Sequence, residues 1–399
     1  MKINPGLLAL AIGAFGIGVT EFAPMGLLPV IASDLGVSIP SAGLLISAYA
    51  LGVVIGAPLM TLTTGRVPRR TLLILLAGIF TTGNVLAALS GSYGMLLAAR
   101  ILTSFNHGAF FGVGSVVAAS LVPAERRASA VAAMFMGLTI ANVVGVPLAT
   151  WAGEHLGWRA SFWGVSALGV VTMAALRLTL PSLPAPSSSN AMAELRVLTR
   201  GPVLAALGLT AVAASAMFTV FTYITPILRE ATHASLGFVT AMLVTYGVGL
   251  TAGNWLGGRY ADRSVDRTLI ITLTLLALIL VAFAMLMPFK AATVVLVFLW
   301  GVASFALIPP LQVRVMHAAA DAPNLASAMN IGAFNLGNAI GAALGGGVIA
   351  AGLGYPAVAL AGAAASALGL VAVIVSVCRR SPADLIRPPA TASVATGKA

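Results

Sequence analysis

Charged residues are scarce in this chain. Asp, Glu, Lys and Arg together make up 8% of its 399 residues, whereas a soluble globular domain carries about 25%. Hydrophobic residues make up 59%, so a water-soluble fold of this size would lack the polar residues to cover its surface. The composition excludes a soluble fold and predicts a protein that crosses a membrane many times.

Cysteine is almost absent as well. Cys378 is the one cysteine in the sequence, which excludes an intrachain disulfide framework and a cysteine metal cluster. The sequence also has no Walker-type phosphate loop, no His/Cys metal spacing and no Ser-His-Asp arrangement. We therefore expect no enzymatic activity, no ATP hydrolysis, no bound metal and no cofactor other than protons as a coupling ion.

The few charges are mostly positive. The formal net charge is +11, but the basic residues lie in short clusters between apolar runs. This distribution is typical of membrane topology and not of a nucleic-acid interface. The expected partners are a lipid bilayer and a small-molecule substrate, without nucleic acid, and we expect a monomer.

Long apolar runs fill most of the chain. Runs of about 20 residues, interrupted by Gly, Pro or charge, are long enough to span a bilayer as helices. The predicted spans are 6–31, 41–63, 71–90, 93–117, 127–151, 159–180, 202–226, 235–258, 268–288, 291–312, 325–350 and 354–377. The sequence therefore predicts an all-α membrane protein with twelve transmembrane helices.

A polar segment divides the spans into two sets of six. The stretch PSLPAPSSSNAMAELRVLTR, residues 181–200, is rich in Pro, Ser and charge. We predict that it is a cytoplasmic linker between two six-helix bundles, residues 1–180 and 201–378. Residues 379–399 are predicted to form a disordered cytoplasmic tail.

The basic residues predict the orientation of the chain. With the N-terminus inside, 17 of the 21 Lys and Arg residues fall in cytoplasmic segments, and Arg159, Arg229 and Lys290 fall in outer loops. An excess of Lys and Arg marks the cytoplasmic side. Both termini are therefore predicted to be cytoplasmic, in the inner membrane of a bacterium.

Two stretches of the chain resemble each other. Residues 128–162 are similar to residues 326–360, and Asn142 and Gly145 align with Asn338 and Gly341. Parallel duplication of a six-helix half is a recurring plan of secondary transporters, with the substrate site near the midplane between the halves. The repeat predicts two pseudo-symmetric bundles.

Two opposite charges are predicted at similar depth in the membrane. Glu21 lies about 22 Å along the first span, and Arg100 lies about 19 Å from the inner surface in the fourth. A lone charge at this depth is costly, whereas a pair or a charge in a water-filled cavity is tolerated. A carboxyl beside a cation suits proton coupling because its protonation depends on its neighbours. The alternative is an ion pair that only joins two helices.

His107 lies one heptad after Arg100, on nearly the same face of the fourth span. An imidazole, with an unperturbed pKa of about 6.5, can relay protons. The alternative is a histidine that lines the cavity and bonds a neighbouring helix.

Amide and aromatic side chains within the spans are candidates for substrate contacts. Intramembrane amides most often join helices by hydrogen bonds, and aromatic residues most often pack. Some of the amides nevertheless occupy equivalent positions in the two halves, and aromatic residues lie near them. Both features favour contact with a lipophilic substrate. This substrate set is Phe105, Asn142, Phe218, Tyr223, Trp300, Asn335 and Asn338.

Five stretches carry a recognisable family pattern. They are GVTEFAPMGLLPVIASDLGVS, SAGLLISAYALGVVIGAP, RILTSFNHGAFFGVG, GLTIANVVGVPLAT and LGWRASF. With these stretches the chain resembles transporters of the major facilitator superfamily over essentially its whole length. The resemblance is strongest to the twelve-span drug:proton antiporter family, in its arabinose-efflux-permease-like and chloramphenicol-efflux-like branch.

The resemblance implies roles for particular residues. It assigns proton coupling to Arg100 and to the acidic Glu21, and it identifies Gly137, Gly145 and Pro147 with the span-five motif of export-type members. The loop TLTTGRVPRR has the basic residues of a gating motif but no carboxylate, whereas the equivalent loop of the second half has one. The expected gating residues are Arg66, Arg69, Arg70, Gly145, Pro147, Gly258, Asp262 and Arg263.

These observations predict a proton-coupled exporter of small, lipophilic molecules or drugs that works by alternating access. One alternative is a proton-coupled transporter of a sugar, nucleoside or similar metabolite, in either direction. Another is a membrane sensor without transport, which is disfavoured because the tails and the linker are too short for a signalling domain.

Overall fold

A computed structural model of the chain describes residues 4–64, 67–123, 127–181, 197, 199–319 and 323–378. All regular structure in these ranges is helical, and twelve helices there are long and apolar enough to cross a membrane. Most of the predicted linker and the whole predicted tail lie outside the described residues. Both of those assignments stay predictions.

The twelve helices form two sets of six. The first set is α1 (Pro5–Leu35), α2 (Ile39–Thr64), α3 (Arg69–Ala88), α4 (Tyr93–Ser104 and His107–Ser120), α5 (Arg127–Ile140, Ala141–Gly145 and Val146–Leu156) and α6 (Trp158–Thr179). The second set is α7 (Gly201–Phe221, extended by Ile224–Pro226 and Ile227–Ala231), α8 (Leu236–Ala261), α9 (Val265–Leu286), α10 (Lys290–Ala306 and Ile308–Ala318), α11 (Pro323–Ala350) and α12 (Gly354–Cys378).

α1 is longer than the apolar run that predicted it. Pro5 occupies its first turn, and the Asn4 side chain accepts a hydrogen bond from the Gly6 N–H, which is a typical helix start. The helix continues past residue 31 until Gly36, which has a left-handed φ of 63°. Glycine adopts this φ without steric cost, so it ends the helix there.

Three spans that were predicted as continuous helices, α4, α7 and α10, are broken. In α4 the Ser104 hydroxyl donates to Ile101 O at 2.6 Å, and the Asn106 amide donates to Thr103 O. Such side-chain bonds compete with the helical ladder. In α10 the break at Leu307 precedes Pro309 and Pro310, which have no N–H to donate.

α5 contains a widened π-helical turn at Ala141–Gly145. Pro147 follows it and cannot donate to the carbonyl of Val143, so regular α-helical bonding is interrupted there. The turn faces the second half, because Gly247 of α8 packs against the backbone of Asn142 and Val143.

The two halves use the same contact between their first and fifth helices. Gly137 of α5 packs on the backbone of Ala11 in α1, and Gly337 of α11 packs on Ala211 in α7. The contacts therefore pair Gly137 with Gly337, one helical turn away from the sequence alignment through the shared asparagine. The helices pack through their small residues, whereas the sequence alignment was based on the identical asparagines Asn142 and Asn338.

We expect Gly137→Ala to lower stability. An added Cβ would overlap the Ala11 carbonyl oxygen, and backbone atoms in a packed helix cannot move aside as a flexible side chain can. Overpacking of this kind costs about 1–3 kcal/mol. Thermal unfolding of the detergent-solubilised protein measures the loss. The matched control is Gly164→Ala in α6, where a Cβ would meet nothing within 4 Å; equal losses in both variants would contradict the packing argument.

Candidate functional site

A proline in α1 frees a backbone carbonyl at the depth of the predicted charges. In an α-helix the N–H of residue 24 would donate to Thr20 O, but Pro24 has no N–H. Arg100 Nη1 donates to Thr20 O instead, at 2.6 Å. The Thr20 hydroxyl in turn donates to Asn84 Oδ1 of α3 at 2.6 Å. The sequence of α1 thus creates the acceptor that holds the arginine.

Arg100 is buried beside Glu21 without pairing with it. Its side chain is 1% exposed, and its guanidinium carbon lies 4.2 Å from the centre of the Tyr49 ring, a cation–π arrangement. No Arg100 nitrogen lies within 4.0 Å of a Glu21 carboxylate oxygen. Arg100 Nε and Nη2 have no hydrogen-bond partner among the described residues. The two charges are neighbours, as their predicted depths indicated, but they form no direct ion pair.

Glu21 faces a histidine more closely than it faces the arginine. Glu21 Oε2 lies 4.0 Å from His107 Nδ1. The Tyr49 hydroxyl lies 3.1 Å from the same nitrogen, and the His107 ring packs on Phe111 at 5.2 Å. Tyr49 therefore contacts both nitrogen-bearing side chains near Glu21. A tyrosine in an apolar span carries no charge signal, so this position could not be singled out from the sequence.

We call Thr20, Glu21, Tyr49, Arg100 and His107 the buried polar cluster. In the described part of the chain, its glutamate, arginine and histidine are the only fully buried Asp, Glu, Lys, Arg or His side chains. The cluster belongs to the first half, and it lies at the boundary with the second. Phe22, the residue after Glu21, stacks at 6.1 Å on the Phe218 ring of α7, which belongs to the second half.

The second half repeats the helix contact on which this cluster is built. Gly52 of α2 packs against Ser104 of α4, and Gly249 of α8 packs against Gly301 of α10. Each residue and its counterpart are 197 positions apart. The helix pair α8 and α10 is therefore equivalent in register to the helix pair α2 and α4.

This register reveals a neutral counterpart of the cluster. It places Tyr246 at the position of Tyr49 and Ser304 at the position of His107. The Tyr246 hydroxyl lies 3.5 Å from the Ser304 hydroxyl oxygen, so the contact between the two helices is repeated. The counterpart of the arginine is Val297. The second half thus keeps the tyrosine but lacks the ionisable partners.

Two aromatic residues of the predicted substrate set lie near the boundary between the halves. Phe218 stacks on Phe22 of α1 and meets Phe334 of α11 edge-on at 5.3 Å. Trp300 is 1% exposed and packs on Tyr246 at 4.6 Å. The Trp300 Nε1 has no hydrogen-bond partner among the residues that the structure describes.

The amides of the substrate set differ in how well they are paired. Asn142 Nδ2 donates to Leu138 O and Asn335 Nδ2 donates to Ile331 O, each at 3.0 Å within its own helix. Asn338 is fully buried, and neither its Nδ2 nor its Oδ1 has a partner within the described ranges. A buried amide without partners is costly, so Asn338 has unused capacity to bind a polar group.

Phe105 and Tyr223 join helices in this structure. Phe105 packs against Gly56 where α4 is broken. The Tyr223 hydroxyl donates to Ala342 O at 2.8 Å, and its ring packs on Gly43 of α2 in the other half. Substrate contacts of these two residues stay predictions.

The halves meet at the end of the bundle where α1 ends, which we call the Leu35 side and which the charge distribution predicts to be the outer side. Here the Ser47 hydroxyl donates to Ala339 O at 3.2 Å. Arg229 Nη1 and Glu154 Oε1 form an ion pair at 3.2 Å that joins α7 to α5. Together with Tyr223, these contacts join the two halves toward the Leu35 side.

We expect Glu154→Ala to open the Leu35 side more often. An ion pair of this partly exposed kind contributes about 0.2–1 kcal/mol, so its loss changes the ratio of open to closed forms by up to about fivefold. Spin labels at Leu156 and Leu353, in a Cys378→Ser background, report the distance between the halves by electron double resonance. Both positions are exposed, at 70% and 65%.

The matched control for this prediction is Arg159→Ala. Arg159 pairs with Asp34 at 2.7 Å on the same side, but both residues belong to the first half. Its removal should leave the distance distribution unchanged. A change of the same size in both variants, or in neither, would contradict a specific role for the ion pair between the halves.

The opposite end of the bundle, the Pro5 side, carries most of the predicted gating residues. Arg66 lies outside the described residues. Arg69 is half-buried at the start of α3, and the Arg70 guanidinium donates to the carbonyl of Arg177 in α6. Arg70 therefore joins two helices of the first half.

The acidic partner on the Pro5 side of the second half is not the expected one. Asp262 is exposed at the end of α8, and the neighbouring Arg263 guanidinium lies 5.7 Å from the Tyr260 ring. The ion pair forms one turn later, between Asp266 and Arg314 Nη1 at 2.7 Å. Asp266 lies in the first turn of α9, where a carboxylate is favoured.

The same arginine joins a third helix, because Arg314 Nη2 donates to the Ser376 hydroxyl oxygen of α12 at 2.5 Å. The remaining glycines of the gating predictions differ in their surroundings. Gly145 packs on Phe15 and Val19 of α1, whereas a Cβ on Gly258 would meet nothing within 4 Å.

The fold and the cluster first define a class. Twelve apolar helices in two pseudo-symmetric halves, with buried ionisable groups where the halves meet, define a secondary membrane transporter. A profile of the Major Facilitator Superfamily matches residues 10–332. The chain belongs to the Major Facilitator Superfamily. It is a multi-pass membrane transport protein and not an enzyme.

The chain is 57% identical to the Inner membrane transport protein YdhP of Escherichia coli (strain K12) over 382 residues, which cover 96% of this chain and 98% of that protein. It is 35% identical over 342 residues to a Chloramphenicol resistance protein of Streptomyces lividans, covering 84% of this chain and 86% of that protein. These relatives and the twelve helices support an inner-membrane location.

Among solved structures, a bacterial homolog of the human lysosomal transporter Spinster, in an inward-facing and unoccupied conformation, has the same fold. The TM-score is 0.69 at 17% sequence identity, and the match covers 94% of this chain and 95% of that one. This likeness concerns the fold alone.

Proposed function

We propose that the protein is a proton-coupled antiporter that exports small, lipophilic molecules by alternating access. The observation that carries the proposal is the position of Glu21. Its carboxyl is 4% exposed, lies where the two halves meet and has no ion pair with the adjacent Arg100. A group that is costly to keep charged, next to a cation with unused donors, is suited to binding and releasing a proton.

The coupling step follows from this arrangement. When the Glu21 carboxylate takes up a proton, the local charge changes by one unit at the boundary between α1 and α7. Loss of the proton leaves a carboxylate that attracts the unused Nε and Nη2 donors of Arg100. The two forms of the cluster then favour different packing of the halves, as a differential-affinity mechanism requires.

Aromatic residues at the boundary support a lipophilic substrate. Phe22, the residue after Glu21, stacks on Phe218, and Phe218 meets Phe334 edge-on. The relative named for chloramphenicol resistance supports export of a drug-like compound. The π turn of α5 with Gly145 and Pro147 lies where export-type members have their motif.

A polar metabolite such as a sugar or a nucleoside is the second candidate substrate. One specific observation favours it, namely the fully buried Asn338 amide without partners in the described part of the chain. Hydroxyl groups of a substrate would satisfy both its donor and its acceptor.

Everted membrane vesicles from an overexpressing strain test the proposal. A pH gradient is established, candidate compounds are added, and a fluorescent base reports the gradient. Antiport predicts that a transported compound, tested from a panel of chloramphenicol-like drugs, sugars and nucleosides, dissipates the gradient only in vesicles that contain the protein. Movement of the compound in the same direction as the protons would indicate uptake by symport and contradict antiport.

A further inference from the structure

Tyr49 contacts both nitrogen-bearing side chains beside Glu21. The tyrosine is 1% exposed, its ring lies under the Arg100 guanidinium at 4.2 Å, and its hydroxyl lies 3.1 Å from His107 Nδ1. Thr20 O takes one guanidinium donor of Arg100, so the two contacts together hold the arginine between α1 and α2. Nothing in the charge pattern of the sequence indicates this role.

We propose that Tyr49 is a positioning residue that holds Arg100 and His107 back from the Glu21 carboxyl in the conformation described here, so that in this conformation a proton rather than a side-chain cation neutralises it. The proposal rests on the proposed function, because it explains how the proton competes. Without Tyr49, the unused donors of Arg100 and the Nδ1 of His107, already 4.0 Å away, are free to approach the carboxylate.

The surroundings of Glu21 leave few other groups to set its charge. The titratable neighbours are Tyr49 on α2 and Arg100 and His107 on α4. The second half contributes only phenyl rings among the contacts described here: Phe218 and Phe221 of α7 both contact the ring of Phe22. Asn84 of α3 reaches the cluster only through the Thr20 hydroxyl.

The second half supplies an internal comparison for this role. Tyr246 has the same place on its helix pair and an equivalent hydroxyl contact with Ser304. Its ring, however, stacks on Phe221 at 4.5 Å instead of lying under a guanidinium. Removal of either hydroxyl changes the same atom in the same helix contact, but only Tyr49 has an arginine and a histidine to hold.

Infrared difference spectroscopy against pH tests the proposal on purified protein in lipid bilayers. A protonated carboxyl has a carbonyl band that is lost on ionisation, and Glu21→Gln identifies the band that belongs to Glu21. The titration midpoint of this band is measured in the parent protein and in Tyr49→Phe, Tyr49→Leu and Tyr246→Phe. No transported compound is needed.

We expect Tyr49→Leu, which frees both Arg100 and His107, to move the midpoint to lower pH by about one unit or more, since a nearby cation and a hydrogen bond to the carboxylate both favour the ionised carboxyl. Tyr49→Phe keeps the ring under Arg100 and frees only His107, so its shift has the same sign and is smaller. Tyr246→Phe should titrate like the parent.

Several outcomes would overturn the positioning role. They are an unchanged midpoint in both Tyr49 variants, an equal shift in Tyr246→Phe, and the absence of a Glu21-dependent band in the parent. If Tyr49→Leu does not elute as a folded protein in size-exclusion chromatography, Tyr49→Phe decides. If Glu21→Gln keeps pH-driven transport, the proposed function fails, whatever the titration shows. If Glu21→Gln loses transport but the Tyr49 variants titrate with the parental midpoint, only the role of Tyr49 fails.

Discussion

We expect Glu21→Gln to abolish substrate movement driven by a pH gradient, while exchange of substrate across the membrane without a gradient continues. Glutamine has nearly the shape of the protonated acid and stays neutral, so it can neither accept nor release a proton. No other Asp or Glu in the described part of the chain is fully buried. Proteoliposomes with an imposed pH gradient measure the first activity, and counterflow at equal pH measures the second.

The matched control is Asp34→Asn on the same helix. Asp34 lies at the Leu35 side, where it accepts hydrogen bonds from Trp158 and Arg159 within the first half. Its variant should keep pH-driven flux. Flux at the parental rate in Glu21→Gln would show that the proton binds elsewhere.

Arg100 is the second residue whose replacement should abolish coupling. Arg100→Leu leaves the Thr20 carbonyl without a donor, because Pro24 has no N–H, and an unsatisfied buried group of this kind costs about 1–3 kcal/mol. It also removes the cation that responds to the Glu21 carboxylate. We expect pH-driven transport to fall to the level of empty liposomes.

Arg100→Lys tests whether charge alone is sufficient. An ammonium group is a compact charge, whereas the planar guanidinium can donate to Thr20 O and cover the Tyr49 ring at the same time. We therefore expect Arg100→Lys to lose coupling too, which the same flux measurement checks. Parental coupling in the lysine variant would mean that the guanidinium geometry is unimportant.

The control for the arginine variants is Arg159→Lys. Arg159 makes the same two kinds of contact, because it donates to Ser90 O at 2.8 Å and lies 4.2 Å from the Trp158 ring. It lies at the Leu35 side, away from Glu21, so its variant should keep pH-driven flux. Loss in both variants would point to a general effect of arginine replacement on folding.

The helices were predictable because a bilayer demands about 20 apolar residues for each span. The breaks in α4 and α10 were not predictable, since an interruption such as Leu307 leaves the run apolar. The depth of Glu21 and Arg100 followed from residue counting along straight helices. Their contacts could not be predicted by residue counting, because packing decides which faces of α1, α2 and α4 meet. Tyr49 joins the cluster only through that packing.

One signal for the site was present in the sequence. Pro24 follows Thr20 by four residues, which predicts a carbonyl without its helical donor. The equivalence of Tyr49 and Tyr246 was hidden for a different reason. The repeat was visible between the fifth and eleventh spans, whereas α2 and α8 share mainly glycine spacing and one tyrosine, and the ionisable residues themselves are not repeated.

We propose that substrate and proton compete through one carboxyl, since the second half has neutral residues at the equivalent positions. The most direct test is proton release from purified protein in weakly buffered detergent solution, followed with a pH indicator while a transported compound is added. We expect release of about one proton for each bound substrate in the parent and none in Glu21→Gln, as binding linkage requires. Equal release in both proteins, or none in the parent despite binding, would contradict it.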